Sequence, residues 1–238
     1  QRQMCIRDRI YHNIFEETDA EFMWLSGITI CDGMAADFAE CKEHIVPAHP
    51  FSDDIISVSR KLAERFCCDT EHIHQVEIAA LKLFDALRKA NHLTKKDRLL
   101  LQIAAILHNC GSFLNLNDIG ENSYKIVTST EIIGLSHQER MIVAYVIRYT
   151  TGDFPEYSEI KNEFSREEYI KIAKLNAILC LADAMDRSHQ QKFTNFTVRK
   201  RGYDLTITGQ TLYDITLEHG MFIPVSYTHL RAHETKAN

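Results

Sequence analysis

Four polar residues stand out against a largely apolar helical background: His72, His108, Asn109 and Asp183. His108 and Asn109 come at the end of Leu99–Leu107 and just before Gly111, a stretch whose apolar residues run almost all the way round a helix. Such a helix is buried on every side. Asp183 lies in Leu179-Cys-Leu-Ala-Asp-Ala-Met-Asp186, where an unpaired carboxylate is costly to bury. It therefore needs a metal, an Arg or a His as partner. Imidazole nitrogens and a carboxylate can hold a divalent cation that activates water. The same groups can also satisfy one another as a closed hydrogen-bond network. Asn109 favours the network, because an amide brings an oxygen to a cation but no charge.

The elements that must carry these residues are helices. Apolar stripes predict helices over Ile55–Cys67 and Glu71–Ala90. Thr94-Lys-Lys-Asp97 opens the central helix, Leu99–Phe113, which the glycine stops. Ser136-His-Gln-Glu139 and Ser165-Arg-Glu-Glu168 read as capping boxes opening helices over Ser136–Tyr149 and Arg166–Arg187. A further helix is expected over Asn122–Ile133, ended by Gly134. After Ser188 the period falls to two. Phe193–Val198 and Tyr203–Thr208 flank Arg199-Lys-Arg-Gly202 as a hairpin, and Asp214–Glu218 reads as a third strand. Toward the N-terminus, Gly27–Cys31 reads as a strand, Asp32-Gly33 as a turn and Met34–Cys41 as a helix, an α/β ending. His74 and His92 read as surface residues, and Met141–Tyr145 as core first and dimer surface second.

Composition narrows the function classes. With 45% hydrophobic residues and only 9 Gly and 4 Pro, the chain has material for a real core and too few breakers for disorder. A net charge of -6 argues against nucleic acid as the main partner. No apolar run is long enough to span a bilayer. Seven scattered Cys with no C-x-x-C read as reduced thiols of a cytoplasmic protein. At the ends, Gln3–Arg9 and Val225–Thr235 look like two reads of one transposon sequencing adapter. Residues 1–9 and 225–238 are therefore expected to be artefact flanking an interior fragment.

The set His72…His108-Asn109…Asp183 resembles the HD phosphohydrolase superfamily, with Asn in place of the Asp of the signature dyad. The wider chain, roughly Ile10–Phe222, resembles the C-terminal half of the exopolyphosphatase/guanosine pentaphosphatase (Ppx/GppA) family. The supporting stretches are His72-Ile-His-Gln-Val76, Lys82-Leu-Phe-Asp85, Leu99–Phe113, Ser123-Tyr-Lys-Ile126, Glu131–His137 and Leu181–His189. The resemblance implies a mainly α fold: an HD-domain-like helical bundle over 52–190 with a small β element over 191–224. A linker over 43–51 joins it to a remnant of an actin-like α/β phosphatase domain over 10–42. In that family the actin-like domain hydrolyses polyphosphate or the pentaphosphate alarmone with Mg²⁺. The helical domain is implied to aid binding of the polyanion and formation of a homodimer. No cofactor is expected in this fragment. If a metal is held, His72, His108 and Asp183 are its ligands.

Several positions depart from the family pattern. His108-Asn-Cys-Gly-Ser112 stands where His-Asp-(Ile/Val)-Gly-Lys is expected, Asn122 where a His is expected, and Arg148-Tyr-Thr150 where Arg-Tyr-His is expected. These neutral residues are expected to hydrogen-bond one another. Candidate phosphate or polyanion contacts are Arg148, Arg187, His189, Arg199, Lys200 and Arg201. Two other readings stay open, an active metal-dependent HD phosphohydrolase acting on nucleotides or phosphoesters, and a non-catalytic helical interaction module.

Overall fold

The computed structural model describes residues 2–18, 21–22, 27–42, 50–193, 195–202 and 204–221. The chain divides into two units, Gln1–His49 and Pro50–Asn238. The expected linker lies mostly outside the described residues, as do residues 225–238. Its last residue, Phe51, instead opens a helix behind Pro50.

The first unit contains α1 (Arg2–Glu16) and α2 (Ile30–Cys41). The expected strand at Gly27–Cys31 does not form, and Asp32-Gly33 is not a turn. Thr29 and Asp32 form a capping box: the Asp32 carboxylate accepts from the Thr29 amide at 2.8 Å, and the Thr29 hydroxyl accepts from the Asp32 amide at 3.3 Å. This pattern supplies the orphan donors of a helix start and draws Cys31 and Gly33 into its first turn.

The second unit is a helical bundle with a two-stranded appendage. Its helices are α3 (Phe51–Arg65), α4 (Thr70–Asn91), α5 (Lys95–Leu107), α6 (Ile119–Ser129), α7 (His137–Arg148), the short α8 (Tyr157–Ile160) and α9 (Arg166–Ala184). The three expected capping boxes, at Thr94, Ser136 and Ser165, all form. At the centre lies α5, with Leu100, Leu101 and every residue from Ile103 to Leu107 buried. It packs against α3, α4, α7 and α9. Polar ties fix these neighbours. Glu77 on α4 accepts a forked pair of bonds from Arg60 on α3 and one from Gln102 on α5. Asp97 pairs with Lys171 on α9 at 2.9 Å. Asn176 on α9 donates to the Val146 carbonyl of α7 at 2.8 Å.

Two helix ends differ from expectation. The central helix stops at Leu107, and a 3-10 turn, Cys110–Phe113, follows. Gly111 is not a helix stop but a point of close approach. A Cβ there would lie 2.2 Å from the Ile119 carbonyl oxygen and 2.6 Å from the Ser123 nitrogen. Helix α6 ends at Ser129, because Thr130 is extended, and Gly134 (φ +94°) turns the chain beyond it against Ile55.

Strands β1 (Asn195–Arg201) and β2 (Asp204–Gln210) pair antiparallel with Val198 opposite Ile207. The hairpin is seated on α4, where Lys82 lies 4.2 Å over the Phe196 ring and donates to the Phe196 carbonyl. The expected third strand is helical instead, over residues 216–221. Asp214 caps this turn by accepting from the Thr216 amide at 3.0 Å, and Glu218 is buried against Lys192 and Ser188. The stripe Ile142–Ile147 is core. Among the described residues no helix is long and apolar enough to cross a membrane.

Gly111→Ala should lower stability by about 1–3 kcal/mol, since rigid backbone must move. Chemical denaturation measures this, and a variant as stable as the parent would mean that the close approach is not needed.

Candidate functional site

Three helix ends meet at the site. His72 is in the first turn of α4, which starts where Asp69 accepts from the amides of Glu71 and His72. His108 is the C-cap of α5. Asp183 is in the last turn of α9, and Asp186 follows one turn later. The carbonyl-rich ends of α5 and α9 favour positive charge between them.

Four side chains form one network. His72 Nδ1 lies 2.9 Å from Asp186 Oδ2, and His72 Nε2 lies 3.2 Å from His108 Nε2. Asp183 Oδ1 is 3.4 Å from His72 Nε2 and 3.6 Å from His108 Nε2. His72 and Asp186 are each only 1% exposed. The outer nitrogens are committed: His108 Nδ1 must donate to the Ala105 carbonyl at 2.7 Å, and His72 Nδ1 donates to Asp186. Both Nε2 atoms therefore face inward. Two such atoms in contact need a proton between them, and His72 carries it. Burial opposes that charge, but hydrogen bonds and the charges of Asp183 and Asp186 outweigh burial and raise its pKa to about 9. Burial likewise opposes the charge on Asp183. The His108 and His72 imidazoles beside it, with Arg187 nearby, hold its carboxyl far below the usual range.

The same atoms fit a cation. The three inward atoms of His72, His108 and Asp183 are the group among the described residues able to share an ion. Metal bonds of about 2.1 Å in a tetrahedron place ligand atoms about 3.4 Å apart, and the separations here are 3.2, 3.4 and 3.6 Å. Each imidazole is also oriented through its other nitrogen, as metal-ligating histidines are. Two imidazoles and one carboxylate suit a transition metal better than Mg²⁺.

The loop after α9 covers this group. His189 stacks on His72 with ring centroids 3.6 Å apart, and its Nδ1 bonds Asp69 at 3.1 Å. Gln191 donates its amide and its side chain to Asp186. His189 and Gln191 both have left-handed backbones, at φ 54° and 46°. These contacts hold that otherwise unfavourable conformation. Arg187 bonds Asp183 Oδ2 at 3.1 Å.

Sequence reasoning brought together His72, His108 and Asp183, and the structure does too. Asn109 is adjacent in the chain but makes no side-chain hydrogen bond among the described residues. Its carbonyl accepts from Ser112. The network closes through Asp186 and Gln191, which the sequence reading left out. Asp183 and Asp186 are three residues apart, a helical spacing that places both on one side and was the available signal. His108 is further held by Ser123, whose hydroxyl donates to the His108 carbonyl and accepts from the Gly111 amide.

Among the described residues the neutral departures bond one another only where Ser112 donates to the Asn109 carbonyl. Ser112, Asn122 and Thr150 each donate to a nearby backbone carbonyl, those of Asn109, Asn115 and Ile147. Arg148 is committed to Glu121 at 2.7 Å and to the Tyr124 ring at 4.5 Å. By contrast, Arg199, Lys200 and Arg201 lie exposed at the end of β1 with no carboxylate pair among the described residues. His74 and His92 are exposed.

Residues 56–221 match the family model described as Ppx/GppA phosphatase, domain III. A search of curated proteins finds no match.

In metal-free protein, the raised pKa of His72 contributes stability that is complete below about pH 6.5. This contribution is lost as pH rises through about 9. The lowered pKa of Asp183 works the other way, contributing above the ordinary carboxyl range and fading as pH falls. Denaturant melts against pH should therefore weaken at both extremes. Asp186→Asn should shrink the alkaline loss by lowering the His72 pKa, which imidazole NMR reads directly.

Proposed function

The chain belongs to the Ppx/GppA phosphatase family through its domain III, and from that premise we propose that it is the accessory domain of a phosphoanhydride hydrolase. It holds the polyphosphate or guanosine pentaphosphate substrate while an actin-like domain does the chemistry. The observation that carries this reading is the run Arg199, Lys200 and Arg201, exposed at the hairpin end and without a carboxylate partner among the described residues. Adjacent exposed cations attract a linear polyanion, whereas Arg148 and Arg187 are already engaged with carboxylates. Pairing of two copies belongs to the same proposal. Phe113, Leu114 and Leu116 support it as exposed apolar side chains, with Phe113 resting on Phe66.

Polyphosphate binding, followed by anisotropy of a labelled chain, should weaken steeply as salt is added. Replacing Arg199, Lys200 and Arg201 together by Ala should weaken it about tenfold, on the order of 1.4 kcal/mol. Binding indifferent to salt and to these substitutions would instead favour a helical interaction module.

A second reading is favoured by the convergence of His72 Nε2, His108 Nε2 and Asp183 Oδ1 within 3.2–3.6 Å. A transition metal held by these three would polarise a water against a phosphoester. Binding would have to displace the His72 proton, so affinity for added Mn²⁺ or Zn²⁺ should rise with pH toward about 9. Metal bound in the purified protein, with phosphoester turnover lost in Asp183→Ala, would establish this reading over the closed network.

A further inference from the structure

Beside the imidazole–carboxylate network, and not part of it, two buried thiols lie in contact. Cys68 sits in the corner between α3 and α4, and Cys110 opens the 3-10 turn after His108 and Asn109. They are 42 residues apart in sequence, yet their sulfurs are 3.4 Å apart. The corner arranges this. Cys67 adopts a left-handed backbone (φ 51°) and is exposed, while Cys68 turns inward with its amide bonded to the Ala63 carbonyl. On the other side, Gly111 and Ser123 pin the turn that carries Cys110. Both sulfurs thus belong to rigid, separately anchored segments. A buried free cysteine in a core is ordinarily inert packing. Two of them in sulfur–sulfur contact across a chain corner are a different chemical object.

We infer that Cys68 and Cys110 are a modification site that closes reversibly into a disulfide when the protein meets a small-molecule disulfide such as oxidised glutathione. The sulfurs, 3.4 Å apart, need to approach by about 1.4 Å to reach bonding distance. Cys110 is fully buried and Cys68 is 8% exposed, so Cys68 reacts first. Its thiolate, having given its proton to solvent, attacks one sulfur of the glutathione disulfide and expels one glutathione thiolate. The Cys110 thiolate then attacks the Cys68 sulfur of the mixed disulfide and expels the second. Two protein thiols are oxidised to one disulfide, and one glutathione disulfide is reduced to two glutathione molecules, which take up the two released protons. In a reducing compartment the bond is transient, as redox-sensing disulfides are. Once formed it ties the α3–α4 corner to the segment that positions His108, whatever substrate the domain serves.

The test uses the full chain with Cys67→Ser, so that the tryptic peptide carrying Cys68 has a single thiol. The protein is equilibrated in glutathione buffers of rising oxidation, acid-quenched, alkylated and digested. The expected result is a cross-linked pair of peptides containing Cys68 and Cys110, lost on adding dithiothreitol, together with a Tm several degrees higher when oxidised. Cys110→Ser should stop at a glutathione adduct on Cys68 and show no rise in Tm. Should the Cys67 variant fold poorly, blocking exposed Cys67 in the native parent with a bulky maleimide gives the same readout. Complete alkylation of both thiols after the most oxidising buffer would overturn the inference. So would a stable glutathione adduct on Cys68 with Cys110 still free.

Discussion

The contact between the two Nε2 atoms of His72 and His108, closed by Asp183, is the constraint on which the site depends. Each imidazole is locked from behind, one by Asp186 and one by the Ala105 carbonyl. Neither can rotate its inward nitrogen away without losing a buried hydrogen bond, which costs more than the bond itself is worth. The space between them must therefore hold positive charge, a proton or a metal ion. The two carboxylates and the carbonyl ends of two helices supply the field that favours it. The raised pKa of His72 and the fit of the three inward atoms to a coordination sphere have this one cause.

Holding three helix ends together is the task of α5. Because it is apolar on nearly every side, it can only be satisfied at the centre, with α3, α4, α7 and α9 around it. Its capped start at Thr94 fixes where it begins, and the tight packing of Gly111 on Ile119 and Ser123 fixes where it ends. His108 inherits its place from those two boundaries. The strap after α9 completes the arrangement: residues in unfavourable backbone conformations are held by bonds to Asp69 and Asp186, so the cover and the network stabilise each other.

Around this network the neutral residues at 109, 112, 122 and 150 have turned to local backbone partners or stand outside it. Arg148 is absorbed into a cluster with Glu121 and Tyr124. The exposed run Arg199, Lys200 and Arg201 lies instead on the hairpin, a separate element seated on α4 by Lys82 and Phe196. Within domain III of this family, the buried polar centre and the exposed basic edge are thus distinct features of one bundle.

Helix-by-helix organisation was legible in the sequence, because capping boxes and 3.6-residue apolar spacing are local signals. The boxes at Thr94, Ser136 and Ser165 start helices where their chemistry requires. Local signals failed where a competing local signal was stronger or the cause was distant. Thr29 and Asp32 turned an apparent strand and turn into a helix start, and the Asp214 cap turned an apparent strand into a helix. Gly111 looked like a helix stop, although its reason is the backbone of α6 at Ile119 and Ser123. For the site, the apolar surroundings of Asp183 signalled that its carboxylate needs a partner, and the resemblance to the HD superfamily grouped it with His72 and His108. Only the tertiary structure decided that Asp186 and Gln191 close the network, that Asn109 does not enter it, and that Cys68 meets Cys110. Those outcomes depend on the angles at which three separate helix ends converge, and no spacing along one chain encodes such angles.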